Sequence, residues 1–134
     1  MRIAAALLAC LLLAACGEDD EQPVATPSPE PAALADLKVV VDPDGDQSRP
    51  PRRLAIRCSS PDDSPGCEAV SKIERKTFEP TPGNVACTQQ FGGPQTATVT
   101  GTLRGEPVDS KFSLANGCEI SRWRDAAAIL DAAG

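Results

Sequence analysis

Four stretches of the chain carry the two-residue alternation or the β-branched run of a strand, and two carry the wider spacing of a helix. Leu37 to Val41 is a β-rich run closed by Asp42-Pro43-Asp44-Gly45, a strong turn signal. Arg53 to Cys58 then sets Leu54, Ile56 and Cys58 on one side and Arg53, Ala55 and Arg57 on the other. The clearest pattern is a hairpin. Thr96, Thr98, Thr100 and Thr102 alternate with Ala97, Val99, Gly101 and Leu103, Gly105-Glu106 turns the chain, and Val108, Phe112 and Leu114 return among polar residues. One hairpin face is therefore core and the other is threonine-rich and wettable. Glu68 to Lys76 predicts a short helix, with Ala69, Val70 and Ile73 on one face and a correctly oriented Glu68, Lys72 pair. Ser121 to Ala133 predicts a terminal helix presenting Trp123, Ala127 and Leu130. The pattern as a whole is α+β.

The N-terminal region follows neither period. Arg2 precedes an apolar run from Ile3 to Leu13, the length of a signal peptide and well short of the ~20 residues that span a bilayer. The run ends in Leu13-Ala14-Ala15-Cys16, which resembles a bacterial lipobox: small residues fit the signal peptidase, and the Cys16 sulfur takes a diacylglycerol before residues 1–15 are removed. The competing Leu7-Leu8-Ala9-Cys10 leaves too short an apolar run. Residues 16–35 are acidic and rich in Pro, Ala and Thr, a composition that predicts a disordered tether with an r.m.s. span of roughly 25 Å. The expected location is the bacterial envelope, lipid-anchored to the outer face of the cytoplasmic membrane, with the folded domain at 36–134.

Charge and composition narrow the chemistry. There is no histidine among the 134 residues, which removes the commonest general base and every Ser-His-Asp or Cys-His arrangement, so an enzyme is not expected and no cofactor is implied. A formal net charge of -6 without a basic stripe argues against nucleic acid. Six cysteines become four once Cys10 is removed and Cys16 is lipidated. In an exported chain Cys58, Cys67, Cys87 and Cys118 are expected to form two disulfides, for which three connectivities are open. Their spacing lacks the short pairs of a zinc site. Asp42 to Asp46 invites a calcium reading, but the sixth and twelfth positions are Gln47 and Arg53 where a calcium loop needs Gly and Glu, so no metal is expected. Arg49, Arg52 and Arg53 around Pro50-Pro51 read as a solvated turn rather than a lipid contact.

The run Cys87-Thr88-Gln89-Gln90-Phe91-Gly92-Gly93-Pro94, the hairpin from Ala97 to Val108, and Phe112 followed by Asn116-Gly117-Cys118 resemble the subtilisin inhibitor-like family in order and spacing. The resemblance covers roughly residues 37–120. It implies an antiparallel sheet of about five strands with two helices packed on one face, and pairing of Cys58 with Cys67 and Cys87 with Cys118. It further implies a reactive loop of Thr88, Gln89, Gln90 and Phe91 with the scissile bond between Gln89 and Gln90, and a supporting role for the Asn116 side chain. Gln89 carries neither a charge for a trypsin-like pocket nor a bulky apolar group, so the implied partner is a subtilisin-like serine protease. The alternative is a non-inhibitory envelope interaction module on the same fold. Members often dimerise through the sheet, which makes the threonine face the candidate surface for a homodimer.

Overall fold

The computed structural model describes residues 32–133, so the signal segment, Cys16 and the tether up to residue 31 lie outside the described residues. Alternating sequence gives β1 (Ala35–Asp42), β2 (Arg52–Cys58), β3 (Thr96–Leu103) and β4 (Glu106–Ser113), joined in one antiparallel sheet of order β2-β1-β3-β4. The register sets Val39 opposite Leu54 on one side and Val99 on the other, and Ala97 opposite Phe112. Because successive side chains point to opposite faces, Leu37, Val39, Val41, Ala97, Val99, Leu103, Val108 and Phe112 share one buried face. Asp36, Lys38, Thr98, Thr100 and Thr102 line the outer face. Gly101 lies opposite Leu37 with φ +134°, and a Cβ there would overlap the Asp36 carbonyl oxygen, so this position requires glycine.

The apolar face is closed by α1 (Pro65–Ser71), α2 (Gly117–Asp125) and α3 (Ala127–Ala133), with Val70, Ile73, Phe78, Ala126, Ile129 and Leu130 completing the core. Phe78 meets Phe112 edge to face, with ring centroids 6.2 Å apart. The fold is thus α+β, but the described residues hold four strands where five were expected and three helices where two were expected. The terminal helix starts earlier than Ser121 because Asn116 caps it, and it breaks at Ala126. Its first part packs on β4 and its second on β1, β2 and α1. Ala126 is fully buried at the corner.

Two other boundaries move for local reasons. The helix expected over residues 68–76 begins at Pro65, because the Ser64 hydroxyl accepts the Cys67 N–H at 3.1 Å and proline suits the first helical position. It ends at Ser71, and a separate 3-10 turn follows over Arg75–Phe78. Glu68 and Lys72 do pair, at 2.7 Å. The hairpin turns at Arg104-Gly105, one residue before the expected pair. Both have positive φ, 51° and 79°, the backbone that a two-residue turn between twisted strands demands. Arg104 is held in it by guanidinium hydrogen bonds to the Ser71 and Ile73 carbonyls. On the edge strand β4, Arg75 and Arg122 donate to the carbonyls of Pro107 and Lys111, which blunts that edge against pairing with another chain.

Candidate functional site

From Glu79 to Gln95 the chain has neither helix nor strand. Unstructured connections longer than ~12–15 residues are uncommon in a compact domain and usually carry function. The Cys87–Cys118 disulfide crosses this segment to the first turn of α2, with Cα atoms 5.4 Å apart, and Cys58–Cys67 joins the end of β2 to α1. The pairing is therefore the one the resemblance implied, and all four sulfurs are occupied.

Thr88, Gln89, Gln90 and Phe91 follow Cys87, and all four are exposed. The backbone on either side of them is fixed. The Gly117 N–H donates to the Thr88 carbonyl at 3.0 Å, and the Gly92 N–H donates to the Leu114 carbonyl at 2.8 Å. Glycine permits both approaches. A Cβ on Gly117 would overlap the Thr88 hydroxyl, and one on Gly92 would come within 3.0 Å of the Ile120 side chain. Gln89, Gln90 and Phe91 are thus presented between two anchored points.

The Asn116 side chain accepts the Glu119 N–H at 3.0 Å and so caps α2. The two bonds that cross to the loop come from backbone groups beside it, of Gly117 and Leu114. Asn116 acts on the loop by fixing the start of the helix that carries Gly117 and Cys118. An Asn followed three residues later by Glu is a helix-start signal legible in the sequence.

Sequence reading did not single out Arg122 and Glu119, whose side chains are only 13% and 17% exposed and pair at 2.7 Å. Arg122 also donates to the Thr77 carbonyl at 3.3 Å, the Lys111 carbonyl at 3.2 Å and the Ser110 hydroxyl at 3.0 Å, and its guanidinium lies 4.8 Å from the Phe112 ring centroid. Glu119 accepts the Thr81 hydroxyl at 2.9 Å. This network ties α2 to β4, to the 3-10 turn and to the strandless segment as it enters the loop.

No protein family, characterised protein or solved structure matches the chain. What the site can do follows from its own geometry. Among the described residues no helix is long and apolar enough to cross a membrane.

Behind the loop, Gly45 in the β1–β2 connection packs against the Pro94 carbonyl, again with no space for a Cβ. The aspartates of that connection organise it. Asp42 accepts the N–H groups of Asp44 and Gln47, and Asp44 accepts from the Arg49 guanidinium and the Ser48 hydroxyl. The Arg49 bond, followed by that from Ser48, holds the Asp44 carboxyl down to about 2. Asp46 is lowered chiefly by the Ser48 N–H, Asp63 by the Ser60 and Ser59 N–H groups, and Glu68 by Lys72. Each group's folded value lies below its unfolded one, so its stabilisation is complete above pH ~4–5 and is lost as pH falls through the folded values toward 2. The urea midpoint is expected to hold from pH 7 to 5 and to fall between pH 4 and 2, less steeply in high salt because these groups face solvent. A midpoint unchanged from pH 5 to 2 would show that these bonds contribute nothing.

Proposed function

We propose that this protein is a lipid-anchored, extracytoplasmic inhibitor of subtilisin-like serine proteases, built on a subtilisin inhibitor-like scaffold and offering Gln89–Gln90 as a substrate-like bond. The observation that carries this reading is the clamp. A disulfide and the Gly117 to Thr88 hydrogen bond hold the chain before Gln89, and the Gly92 to Leu114 hydrogen bond holds it after Phe91. A segment held on both sides loses little entropy when it enters a cleft. If the protease cuts it, the Gln90 amine stays beside the acyl-enzyme ester, attacks the acyl carbon, expels the serine oxygen and restores the peptide bond. The amine at high effective concentration outcompetes water, so the complex persists.

The two ends of the sheet also favour the reading. Ala35 pairs with Cys58 and Leu103, whereas Asp42 pairs with Thr96, whose other neighbour Ser113 leads to Leu114. The chain leading back to Cys16 therefore leaves one end of β1, and the loop sits at the other end, roughly 24 Å away for a strand of this length. The loop therefore stands clear of the point where the tether joins the domain, and a flexible tether to Cys16 would leave it free to meet soluble proteases.

The test is inhibition of subtilisin by the oxidised protein, with intact mass followed over a long incubation. The expected result is tight, stoichiometric inhibition with the Gln89–Gln90 bond mostly intact, and weak inhibition of trypsin. Gln89→Lys should gain at least 100-fold against trypsin, because a lysine side chain supplies the positive charge an acidic pocket selects. Rapid cleavage at Gln89 without inhibition, in a protein whose two disulfides are formed, would overturn the proposal and leave the scaffold as an interaction module.

A further inference from the structure

Two requirements of the clamp meet at adjacent residues. Position 116 caps α2 and needs a short side chain to accept the Glu119 N–H, which Asn116 does at 3.0 Å. Position 117 brings its N–H to the Thr88 carbonyl at 3.0 Å, and a Cβ there would overlap the Thr88 hydroxyl, so it is glycine. Together they write Asn-Gly, the dipeptide in which an asparagine closes most readily on the next backbone nitrogen, because glycine puts no side chain in the way. The chain has one other asparagine, Asn84, and the β-branched Val85 follows it.

The fold holds the reacting atoms of Asn116 and Gly117 apart in three ways. Ring closure needs a Gly117 nitrogen that has lost its proton, and that N–H is committed to Thr88. It needs the Asn116 amide to swing toward the main chain, and the amide oxygen is committed to Glu119. It also needs the Asn116 Cβ and the Gly117 nitrogen eclipsed about the bond from Cα to the carbonyl carbon, whereas ψ 173° keeps them staggered. Asn116 is only half-buried, so water and hydroxide reach it, and the restraint comes from these bonds rather than from burial. The bridge from Cys118 to Cys87 keeps Thr88 in place to accept the first of them.

We propose that Asn116 is a latent deamidation site, which opens when the loop clamp is lost and makes the loss permanent. Hydroxide takes the Gly117 N–H proton, the nitrogen attacks Asn116 Cγ, and the side-chain nitrogen leaves as ammonia with a proton from water, which regenerates hydroxide and leaves a succinimide. Water then opens the ring. Breaking its bond from nitrogen to Cγ gives a normal aspartyl residue, which still caps α2. Breaking the bond from nitrogen to the main-chain carbonyl gives an isoaspartyl link. That link adds one carbon to the main chain where Gly117 must meet Thr88, and it takes away the capping side chain. The site exists whether or not the loop meets a protease.

The experiment incubates the oxidised protein at mildly alkaline pH, native and in guanidinium chloride, and reads conversion of each asparagine by peptide mass spectrometry. Asn116 is expected to convert at least about 10-fold more slowly in the native protein, because protection follows the free energy of local opening. Asn84, which is exposed and precedes Val85, should convert slowly in both. A native rate at Asn116 within about 3-fold of the unfolded one would overturn the proposal. The Cys87→Ser, Cys118→Ser variant, where urea shows it folded, should lose most of the protection, and the Cys58→Ser, Cys67→Ser variant should keep it; equal rates in the two would overturn the clamp as the gate. Should the first variant not fold, the wild type decides. Its slow rate should stay flat in denaturant below the unfolding transition, as a local opening does, and a rate that climbs with global unfolding would overturn the gate. Permanence is read after refolding. The isoaspartyl fraction should show a urea midpoint below that of Asn116→Ala, which loses the cap but keeps the main chain, and a midpoint equal to wild type would show that the modification leaves the clamp intact.

Discussion

Replacing Cys87 and Cys118 together by serine is expected to lower folding stability by about 3–4 kcal/mol and, under the proposed inhibitor function, to turn the loop into a substrate. The first effect comes from the unfolded chain. The bridge closes a loop of sequence separation 31, and removing it returns that loop's conformational freedom to the denatured state. The second comes from the folded chain, because with the sulfur bridge gone the Thr88 side of the loop keeps, among the described residues, the hydrogen bond from the Gly117 N–H without a covalent tie. Once cut, the new amine at Gln90 would leave the acyl-enzyme faster than it could religate. The control is the pair Cys58 and Cys67, which closes a separation of 9 and should cost about 2.7 kcal/mol. That bridge lies at the Ala35 end of the sheet, away from the loop, so the double serine variant should still inhibit wherever it remains folded. Urea unfolding at 15 °C and intact-mass analysis of subtilisin digests measure the two effects. Equal loss of inhibition in both double variants, at conditions where both are folded, would show that the bridge near the loop has no particular role.

Arg122→Ala is expected to cost about 3–5 kcal/mol, a large share of the net stability of a domain this size. The loss is more than one ion pair. Removing the guanidinium strands the Glu119 carboxylate in a largely buried position and leaves the Ser110 hydroxyl and the Thr77 and Lys111 carbonyls short of a donor. It also uncovers the Phe112 ring. Arg122→Lys should recover only part of the loss, because one ammonium cannot reproduce a planar fork that reaches four acceptors. Arg122→Met combined with Glu119→Leu should be less damaging than Arg122→Ala, since it removes both charges and keeps apolar volume over the ring. Denaturant midpoints of the three variants test this order. A cost under about 1 kcal/mol for Arg122→Ala would mean that the network merely decorates the surface.

How much of this was legible in the sequence depends on the range of the interaction that decides each feature. Val99, Leu103 and Phe112 were placed on the core face by alternation alone, because a period of two is written into neighbouring residues and needs no partner to define it. The turn at Arg104-Gly105 was missed by one residue. Gly105 announced a turn, but the sequence did not show that Arg104 would take positive φ to bond carbonyls more than thirty residues away. Asn116 carried a visible helix-start signal through Glu119, yet the terminal helix was expected only from Ser121. Nothing in the sequence marks Arg122 as a largely buried charge. It faces inward because β4 and the 3-10 turn offer it acceptors that only the packing brings together.

The sequence by itself determined the class of the fold, the buried face of the hairpin and the lack of any histidine. These depend on composition and on periods of two to four residues, which a short stretch of chain fixes whatever its surroundings. The tertiary structure alone decided the strand order, the break at Ala126, the inward turn of Arg122 and the clamp on the loop. Each of these joins groups distant along the chain, through the backbone of Thr88 to Gly117 and Leu114 to Gly92 or through the side chain of Arg122. Residue identity constrains such contacts only weakly, because every residue but proline offers the same N–H and every residue the same carbonyl.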